Sequence, residues 1–495
     1  MMYGEEKSDS LIVAAKQANN PKGAESVERR SGAKGNAEQP HMRRTQSRES
    51  MSQRLSRVRE AAKQRKKERF TALFHLLTVE ALEAAFLSLS RKAAAGVDGI
   101  RWMDYAGNMK NNITDLHRRL HQGSYRAQPG RRHYIPKADG KQRPLGIASL
   151  EDKIVQYALV KILNAVYEND FMGFSYGFRP GRSQHDALDA LATGLVRTNV
   201  NWVLDADISQ FFDRVSHEWL IRFTEHRIGD RRVIRLIRKW LTAGTSEEGQ
   251  WRATEEGTPQ GAVISPLLAN IYLHYVFDLW AHQWRRRYAT GNVVMVRYAD
   301  DIVIGFDKRY DARRFRIAMQ RRLREFGLTV HPEKTRLMEF GRFAAENRAI
   351  RGKGKPETFN FLGFTHISGK DRSGRFMLIR KTRRDRMTAT LKAIKDGLRK
   401  RWHYSIPEQG KWLRRVVQGY LNYHSVPGNY PMMRKFRIYV TDLWRRALRR
   451  RSQQDDTTWT KANRLAAVWL PKVRVLHPWP VERFTARHPR QEPGA

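Results

Sequence analysis

The segment MVRYADDIVIGF, residues 295–306, places two aspartates side by side inside an otherwise apolar run. Its Val, Ile and Tyr residues are typical of a buried strand. A desolvated carboxylate costs several kcal/mol unless a cation or a donor pairs with it. Asp300 and Asp301 therefore require a fold in which this strand ends where positive charge is supplied. Taken alone, the pair could also be solvent-facing acids of a turn, where Asp is common.

A third carboxylate comes from NWVLDADISQFFD, residues 201–213. Read as a strand, this stretch alternates, with Val203, Asp205 and Asp207 on one face and apolar residues on the other. A strand that is buried on one face would thus present carboxylates on its opposite face.

The stretch VVMVRYADDIVIG, residues 293–305, predicts a β-hairpin with a tight turn near Ala299 and Asp300. If this hairpin lies beside the first strand, Asp207 converges with Asp300 and Asp301. Clustered carboxylate oxygens without His or Cys suit Mg²⁺. Two such ions held close together activate an attacking 3′ oxygen and stabilise a leaving pyrophosphate.

Two neighbouring stretches contain further candidate residues. GTPQGAVISPLLANIYLHYVFD, residues 257–278, predicts a constrained loop that opens a helix, where the backbone can approach a base or sugar closely. Gln260 in this loop could instead be a helix cap. In YIPKADGKQRPLGIASLEDKIVQ, residues 134–156, Lys137 and Arg143 flank a predicted Gly hairpin and could hold a triphosphate. They could also be ordinary surface charge.

The stretch FSYGFRPGRSQHDAL, residues 174–188, combines aromatic residues with Arg179 and Arg182 just before a predicted helix, DALDALATGLV. Such a combination fits stacking on a nucleic-acid strand and clamping it. Nearer the start of the chain, RLSRVREAAKQRKKERF predicts a strongly charged helix.

Basic residues dominate the charge of the 495-residue chain, with 93 Lys and Arg against 50 Asp and Glu, a net charge of +43. This imbalance predicts a polyanionic partner, RNA or DNA. Residues 371–450 hold 22 Lys and Arg against 5 Asp and Glu, a net charge of +17, and their apolar spacing predicts three helices. The alternative is an ordinary bundle with a solvated charged face.

Other classes of protein are disfavoured by what the sequence lacks. It has no cysteine, which excludes disulfides and thiolate zinc sites and favours a reducing, cytoplasmic setting. No apolar run is long enough for a membrane span, and there is no signal peptide. At the other end, TKANRLAAVWL predicts a short helix, and LHPWPVERF an extended segment that docks on the body.

Taken in order, these stretches resemble the reverse transcriptases encoded by bacterial group II introns, also called intron maturases. The resemblance covers residues 80–480 approximately. The motifs that carry it are AAAGVDGI, RPLGI, SYGFRPGRS, DADISQFFD, GTPQGAVISPLLANIYL, RYADD, LREFGLTVHPEKTRL, FNFLGF and QGYLNYHSVPGN.

The resemblance implies an α+β fold, a right-hand polymerase with fingers, palm and thumb. The expected divisions are a disordered extension at 1–50, N-terminal helices and fingers at 51–200, the palm at 201–370, a basic all-α thumb or domain X at 371–450, and a tail at 451–495. Because the chain lacks Cys and the tail is short, we expect no zinc-supported HNH endonuclease. This is the pattern of the endonuclease-lacking classes.

The resemblance also implies roles for individual residues. Asp207, Asp300 and Asp301 are the expected catalytic carboxylates, which with the backbone of Ile208 hold two Mg²⁺ ions, or Mn²⁺ as a substitute. Asp205 lies on the same face but is not expected to be a ligand. The expected contacts of the incoming dNTP are Lys137, Arg143, Phe212, Gln260 and Lys334.

Within that set, Phe212 occupies the position that discriminates against a 2′-hydroxyl, and Lys334 lies near the pyrophosphate as a proton donor or as a plain positive charge. Template and primer contacts are expected from Arg179, Arg182, Gly261, Phe361, Leu362 and Gly363. Contacts of the thumb with RNA are expected from Arg414, Arg415, Tyr420, Tyr423 and His424. One departure from the family pattern is Ala262, where a second glycine is common and template fit depends on a small residue.

The function implied is an RNA-directed DNA polymerase that also binds its intron RNA as a ribonucleoprotein, assisting splicing and retrohoming. The expected partners are intron RNA, an RNA template, a DNA primer or target, and dNTPs, with no membrane. The expected location is the bacterial cytoplasm, near the nucleoid, with the protein a monomer or a dimer on RNA. Two alternatives stay open: a domesticated enzyme used in defence, repair or diversification, and a splicing-only RNA-binding maturase.

Overall fold

The computed structural model of the protein describes residues 50–136, 142–451 and 457–487. Helices and strands are mixed along the chain, as the expected α+β class requires. The predicted disordered extension lies outside the described residues except for Ser50, whose side chain caps the helix Met51–Gln64. That helix ends before KKERF, so the predicted charged helix is shorter than its sequence pattern suggests.

The sheet at the centre of the chain has four antiparallel strands in the order β6-β7-β3-β8. These strands are β3 Trp202–Asp207, β6 Val293–Tyr298, β7 Asp301–Phe306 and β8 Arg336–Glu339. Leu204 and Ala206 face the main hydrophobic core, whereas Val203 packs into a second cluster on the other side. The predicted alternation is confirmed, but β3 is covered on both faces rather than on one.

Two further sheets flank this central one. The first has the order β2-β1-β4-β5, and the second has the order β11-β10-β9. Their strands are β1 Gly130–Pro136, β2 Gln142–Ile147, β4 Thr245–Glu247, β5 Gln250–Arg252, β9 Phe359–Phe361, β10 Phe364–Lys370 and β11 Phe376–Thr382. The predicted Gly hairpin is the β1–β2 pair, whose tip lies outside the described residues.

Most helices pack around the main core on one side of the central sheet. They are Met51–Gln64, Val79–Ser88, Trp102–Ala106, Met109–Gln122, Leu150–Tyr167, His217–Arg227, Arg231–Thr242, Ser265–Leu273, Leu279–Tyr288 and Arg309–Glu325, with 3₁₀ turns at Phe74–Leu76 and Phe211–Asp213 and a π turn at His274–Asp278. A further short helix, Ala344–Ile350, follows β8. The helix Gln184–Arg197 instead contributes to the second cluster, opposite the main core.

A basic helical bundle follows β11 and has its own hydrophobic core. Its helices are Arg384–Arg399, Ile406–His424, Tyr430–Arg449 and Trp459–Trp469. The three helices predicted from apolar spacing are confirmed, since each buries the face that the spacing marked. The helix predicted from TKANRLAAVWL is confirmed as the fourth.

The last described segment docks on the body, as predicted, but ends in the helix Pro480–Arg487 rather than staying extended. Arg483 in this helix forms an ion pair with the buried Asp189 of Gln184–Arg197, and Arg380 donates to the other oxygen of the same carboxylate at 3.3 Å. The ring of His477 stacks on that of His185 at 4.0 Å. In the part of the chain that the structure describes, no helix is long and apolar enough to span a membrane.

Candidate active site

Three carboxylates meet at one end of the central sheet. Asp207, the last residue of β3, lies directly opposite Asp301, the first residue of β7. Asp300 is in the turn between β6 and β7, where Ala299 has a φ of 56°. The predicted hairpin, its tight turn and its position beside β3 are all confirmed by this register.

The site is short of positive charge. Burial raises the pKa of Asp300, the charge of Asp207 raises it further, and Arg143 and Arg297 partly oppose the shift. Burial also raises the pKa of Asp301 well above its ordinary value, with added repulsion from Asp205, Asp300 and Asp207. A bound cation would reverse both shifts, because it favours the ionised carboxylates.

Asp205 shares the face of Asp207 but lies deeper. Its pKa is raised to about 7 by burial and by Asp207, against the opposing charges of Arg336 and Arg383. Its strand partners are Val303 and Arg336 rather than the turn. Asp205 therefore adds negative potential beneath the three carboxylates without lying at the turn itself.

Lys334 supplies the one positive charge that directly contacts these carboxylates among the described residues. Its Nζ lies 3.0 Å from Oδ2 of Asp207, and its side chain is 64% exposed. The chain before it is fixed by two backbone bonds, in which the Ser209 amide donates to the Thr329 carbonyl and the His331 amide donates to the Asp207 carbonyl. Neither bond consumes the carbonyl of Ile208.

The chemistry of the donors fits a hard divalent cation, since the converging side chains are carboxylates and two of them have raised pKa values. Across the described residues, however, no three His, Cys, Asp or Glu side chains are arranged to hold a metal ion as they stand. Asp207 is turned toward Lys334, whose ammonium provides the positive charge. The donor set is therefore present, but closing it around an ion requires the side chains to reorient.

The predicted constrained loop is confirmed and contacts the segment after β3. Gly257 has a φ of 89°, and a Cβ there would come within 2.9 Å of the Phe212 carbonyl oxygen. That carbonyl accepts a hydrogen bond of 2.7 Å from the Thr258 amide. Gly261 has a φ of 108°, and the helix Ser265–Leu273 follows. The loop thus fixes the backbone of Phe212, whose ring is half-buried beside that of Phe211.

Gln260 does not cap this helix. Its side-chain amide donates to Oδ1 of Asp213 at 2.9 Å, and its backbone carbonyl accepts from the Gly146 amide at 2.6 Å. The helix is instead held by Gln156, whose side-chain oxygen accepts from the Val263 amide at 2.9 Å. The sequence analysis did not identify Gln156. The feature that could have identified it is a polar residue inside the apolar run KIVQYALV.

Arg297 is a second residue that sequence reasoning missed. It is fully buried and ion-paired with the fully buried Asp278, with an N–O distance of 2.6 Å. It also donates to Asn270 at 3.1 Å, to the carbonyl of Ala299 at 3.0 Å and to Ser175 Oγ at 2.7 Å. The carboxylate turn is thereby tied to two other motifs. The features that could have identified Arg297 are an arginine inside MVRYADD and an acid inside the apolar stretch NIYLHYVFD.

The expected triphosphate contacts are only partly described. Arg143 is exposed on β2 and lies close enough to act on the pKa of Asp300. Lys137 lies outside the described residues.

Arg179 does not lie where a template or primer could reach it. Its side chain is 3% exposed, forms an ion pair of 2.9 Å with Glu168, and donates to the carbonyls of Met172 and Ser175. The expected strand contact of Arg179 is thus corrected to a structural role, because all of its charge is used internally. Arg182 is half-buried and also bonds internally, donating to the Gly173 carbonyl at 2.6 Å.

The aromatic residue that this motif does expose is Phe178, at 49%. Its φ is 59°, and its ring lies 6.3 Å from that of Tyr298, beside the carboxylate turn. The preceding Gly177 packs so closely on Ala299 that a Cβ would come within 2.3 Å of its amide nitrogen. Phe178 is thus exposed next to the candidate site, although no local pattern distinguishes it from the other aromatic residues of the motif.

The FNFLGF motif forms a tight turn between β9 and β10. Leu362 and Gly363 both have positive φ, at 45° and 81°, and Tyr423 of the bundle donates to the Leu362 carbonyl at 2.7 Å. Phe361 is 1% exposed and belongs to the second hydrophobic cluster. A direct primer contact by the Phe361 side chain is therefore corrected, because the ring points into the core.

Of the residues expected to bind RNA in the bundle, some are exposed and others are buried. Arg414 and Arg415 are exposed on the helix Ile406–His424. Tyr420 and His424 are buried at 8% and 7%, with Tyr420 stacked 3.6 Å from Phe436. The expected RNA contacts of Tyr420 and His424 are corrected to packing roles, because Tyr420 lies in the core of the bundle and the ring of His424 packs on that of Phe364 at 5.3 Å.

Comparison with known proteins agrees with this site. Residues 135–366 match the family described as "Reverse transcriptase (RNA-dependent DNA polymerase)". The chain is 42% identical over 214 residues to Protein YkfC of Escherichia coli (strain K12), covering 42% of this chain and 55% of that protein. It is 38% identical over 222 residues to the group II intron-encoded protein LtrA of Lactococcus lactis subsp. cremoris, covering 44% of this chain and 37% of that protein.

A longer match is 26% identical over 396 residues to the putative COX1/OXI3 intron 1 protein of Saccharomyces cerevisiae, covering 66% of this chain and 46% of that protein. The chain thus spans about half, or less, of the length of these curated relatives. The matched segment, a little under half of the chain, is similar to the reverse transcriptases. Among the relatives, LtrA is named as a group II intron-encoded protein, which agrees with the resemblance seen in the motifs.

Proposed function

We propose that the protein is an RNA-directed DNA polymerase that also serves as the maturase of a group II intron. The observation that carries the polymerase proposal is the pairing of Asp207 with Asp301 beside the turn of Asp300, inside the segment that matches reverse transcriptases. In this proposal the central sheet is the palm. The β1–β2 sheet with the preceding helices forms the fingers, and the basic helical bundle is the thumb.

Asp207, Asp300 and Asp301, with the carbonyl of Ile208, are the groups that would hold two Mg²⁺ ions, for which Mn²⁺ can substitute. When bound, these ions supply activation of the primer 3′ oxygen and neutralisation of the leaving pyrophosphate. The raised pKa values of Asp300 and Asp301 support this assignment, because they indicate carboxylates that lack a counter-charge.

The incoming dNTP would lie between the carboxylates and the fingers. Arg143, and Lys137 with it, would hold the triphosphate by charge. Phe212 would exclude a 2′-hydroxyl by sterics, and the bond from Thr258 to its carbonyl keeps its backbone fixed. Lys334 beside Asp207 would neutralise the pyrophosphate or give it a proton.

The maturase part of the proposal rests on the charge of the bundle, which supplies +17 of the net +43 through 22 Lys and Arg against 5 Asp and Glu. Arg414 and Arg415 provide exposed charge for intron RNA. The same protein would travel with this RNA in retrohoming and use nicked or replicating DNA as primer. Because its RNA affinity would depend on phosphate neutralisation, it should fall steeply as salt rises.

The experiment that tests the proposal is extension of a DNA primer on an RNA template by the Asp300→Ala variant. We expect cDNA synthesis to be lost and RNA binding to be kept, because the substitution removes a metal ligand and leaves the bundle intact. Glu346→Ala, an exposed acid on the helix Ala344–Ile350, is the matched control for loss of one carboxylate. Extension by Asp300→Ala at the wild-type rate would show that the metal assignment is wrong.

A further inference from the structure

A pocket lies at the end of the basic helical bundle that is farther from β11. The helix Arg384–Arg399 begins just after β11, and its 16 residues carry the chain about 24 Å away. The last turn of this helix and the last turn of Tyr430–Arg449 form the pocket, with Trp402 from the connecting loop. Its volume is about 120 Å³. The site is separate from Arg414, Arg415 and the carboxylate site.

One wall of the pocket is apolar. It consists of Leu398, the half-buried ring of Trp402 and Leu443, all of which pack against the core of the bundle. A cavity of roughly 150 Å³ accepts a benzene ring, so this pocket has room for about one aromatic ring. An indole wall also favours a planar guest, because stacking stabilises it beyond simple burial.

The rest of the lining is cationic, with Lys395, Arg399, Arg446 and Arg450 around the mouth. Arg446 is paired with Asp442 at 2.7 Å. Lys395, Arg399 and Arg450 are exposed and have no carboxylate partner within the described parts of the chain. The negative ends of the two helices favour basic residues here, yet that does not explain an aromatic slot beneath them. Three uncompensated cations around one slot fit a planar ring that carries phosphate.

We propose that this pocket binds a single unpaired nucleotide of a structured RNA. The base would stack on Trp402 between the two leucines, and its flanking phosphates would contact Lys395, Arg399 and Arg450. Bulged and looped-out nucleotides are the parts of a folded RNA that present an accessible base. The inference rests on the proposed function only in taking RNA as the partner, and it is independent of the polymerase chemistry.

The test compares the affinity of the full-length protein for two RNA hairpins that differ by one bulged nucleotide. We expect the wild type to prefer the bulged hairpin by roughly 5- to 150-fold, the range that stacking of one base gives. Trp402→Leu keeps the apolar wall but removes the ring, so it should bind both hairpins equally. The double variant Arg399→Gln with Arg450→Gln should lose most of the preference while leaving Trp402 in place.

The matched control is Arg313→Gln with Arg321→Gln, two exposed arginines on the helix Arg309–Glu325. It removes the same charge and should weaken both hairpins alike while keeping the preference. Equal binding of the two hairpins by the wild type, or an unchanged preference in both pocket variants, would overturn the proposal.

Primer extension separates this inference from the proposed function. Both pocket variants should extend a DNA primer as the wild type does, because the pocket lies at the far end of the bundle. Thermal unfolding of each variant checks that the bundle is intact. If Trp402→Leu is destabilised, the double variant Arg399→Gln with Arg450→Gln still tests the pocket, because both of its side chains are exposed.

Discussion

The buried ion pair of Arg297 and Asp278 gives a prediction that couples stability to the geometry of the carboxylate turn. In Arg297→Met, Asp278 loses both of its hydrogen bonds from the guanidinium, at 2.7 and 2.6 Å, and stays fully buried. Asn270, Ser175 and the carbonyl of Ala299 lose their bonds to Arg297 as well. Removal of one partner from a buried pair costs about 3–5 kcal/mol.

The destabilisation should depend on pH. Burial raises the pKa of Asp278 and Arg297 lowers it, so the substitution raises it further. An acid whose folded pKa exceeds its unfolded value stabilises the fold below the unfolded pKa, and this contribution is lost as pH rises through the folded pKa. The gap in unfolding free energy between wild type and Arg297→Met should therefore be wider near pH 8 than near pH 5, roughly the range over which such a buried acid ionises.

Denaturant unfolding and primer extension would be measured on Arg297→Met, on Asp278→Leu and on the double variant that combines them. The double variant removes the orphaned charge, so it should recover a large part of the lost stability. It should not recover synthesis, because the Ala299 carbonyl next to Asp300 is still unsupported. Wild-type stability in Arg297→Met, or double-variant losses equal to the sum of both single changes, would refute the reasoning.

Three further predictions concern the candidate site. Phe212→Val should narrow the preference for dNTPs over rNTPs by up to roughly 100-fold, the range for a pocket that excludes one hydroxyl. An unchanged ratio in competitive incorporation would contradict it. Lys334→Met should slow extension roughly 100-fold while Lys334→Arg restores most of the rate, because charge is what is needed; an arginine variant as slow as the methionine one would favour proton donation. Asp205→Asn should keep synthesis. The unfolding free energy of the wild type should fall as pH rises from 3.8 to about 7, and the variant should lack this fall when both are unfolded in urea.

Local patterns predicted the strand and the hairpin that carry the three carboxylates. The alternation in β3 and the turn at Ala299–Asp300 are set by period-two patterning and turn chemistry, so the hairpin and the strand could be recognised before the fold was known. The placement of the hairpin beside β3 was a conditional inference, and the register of Asp207 with Asp301 confirmed it. The three bundle helices were likewise visible in their apolar spacing.

Side-chain roles that depend on distant partners could not be predicted in the same way. Arg179 and Arg297 are both arginines in functional motifs, yet both are buried because acids elsewhere in the sequence, Glu168 and Asp278, meet them in the fold. Tyr420 was expected to contact RNA because of the family resemblance, but its stacking on Phe436 across the bundle could be known only from the packing. Charge type is local information, whereas burial is a property of the whole fold.

The carboxylate of Asp189 also bears on how the chain assembles as it is made. Its two cation partners, Arg380 and Arg483, lie 191 and 294 positions further along the sequence. At ribosomal speeds the second partner follows Asp189 by roughly 15–60 s. Until then, the nascent helix Gln184–Arg197 carries an acid whose final partner has not been synthesised. Completion of this region is therefore a late event, which waits for the synthesis of Arg483.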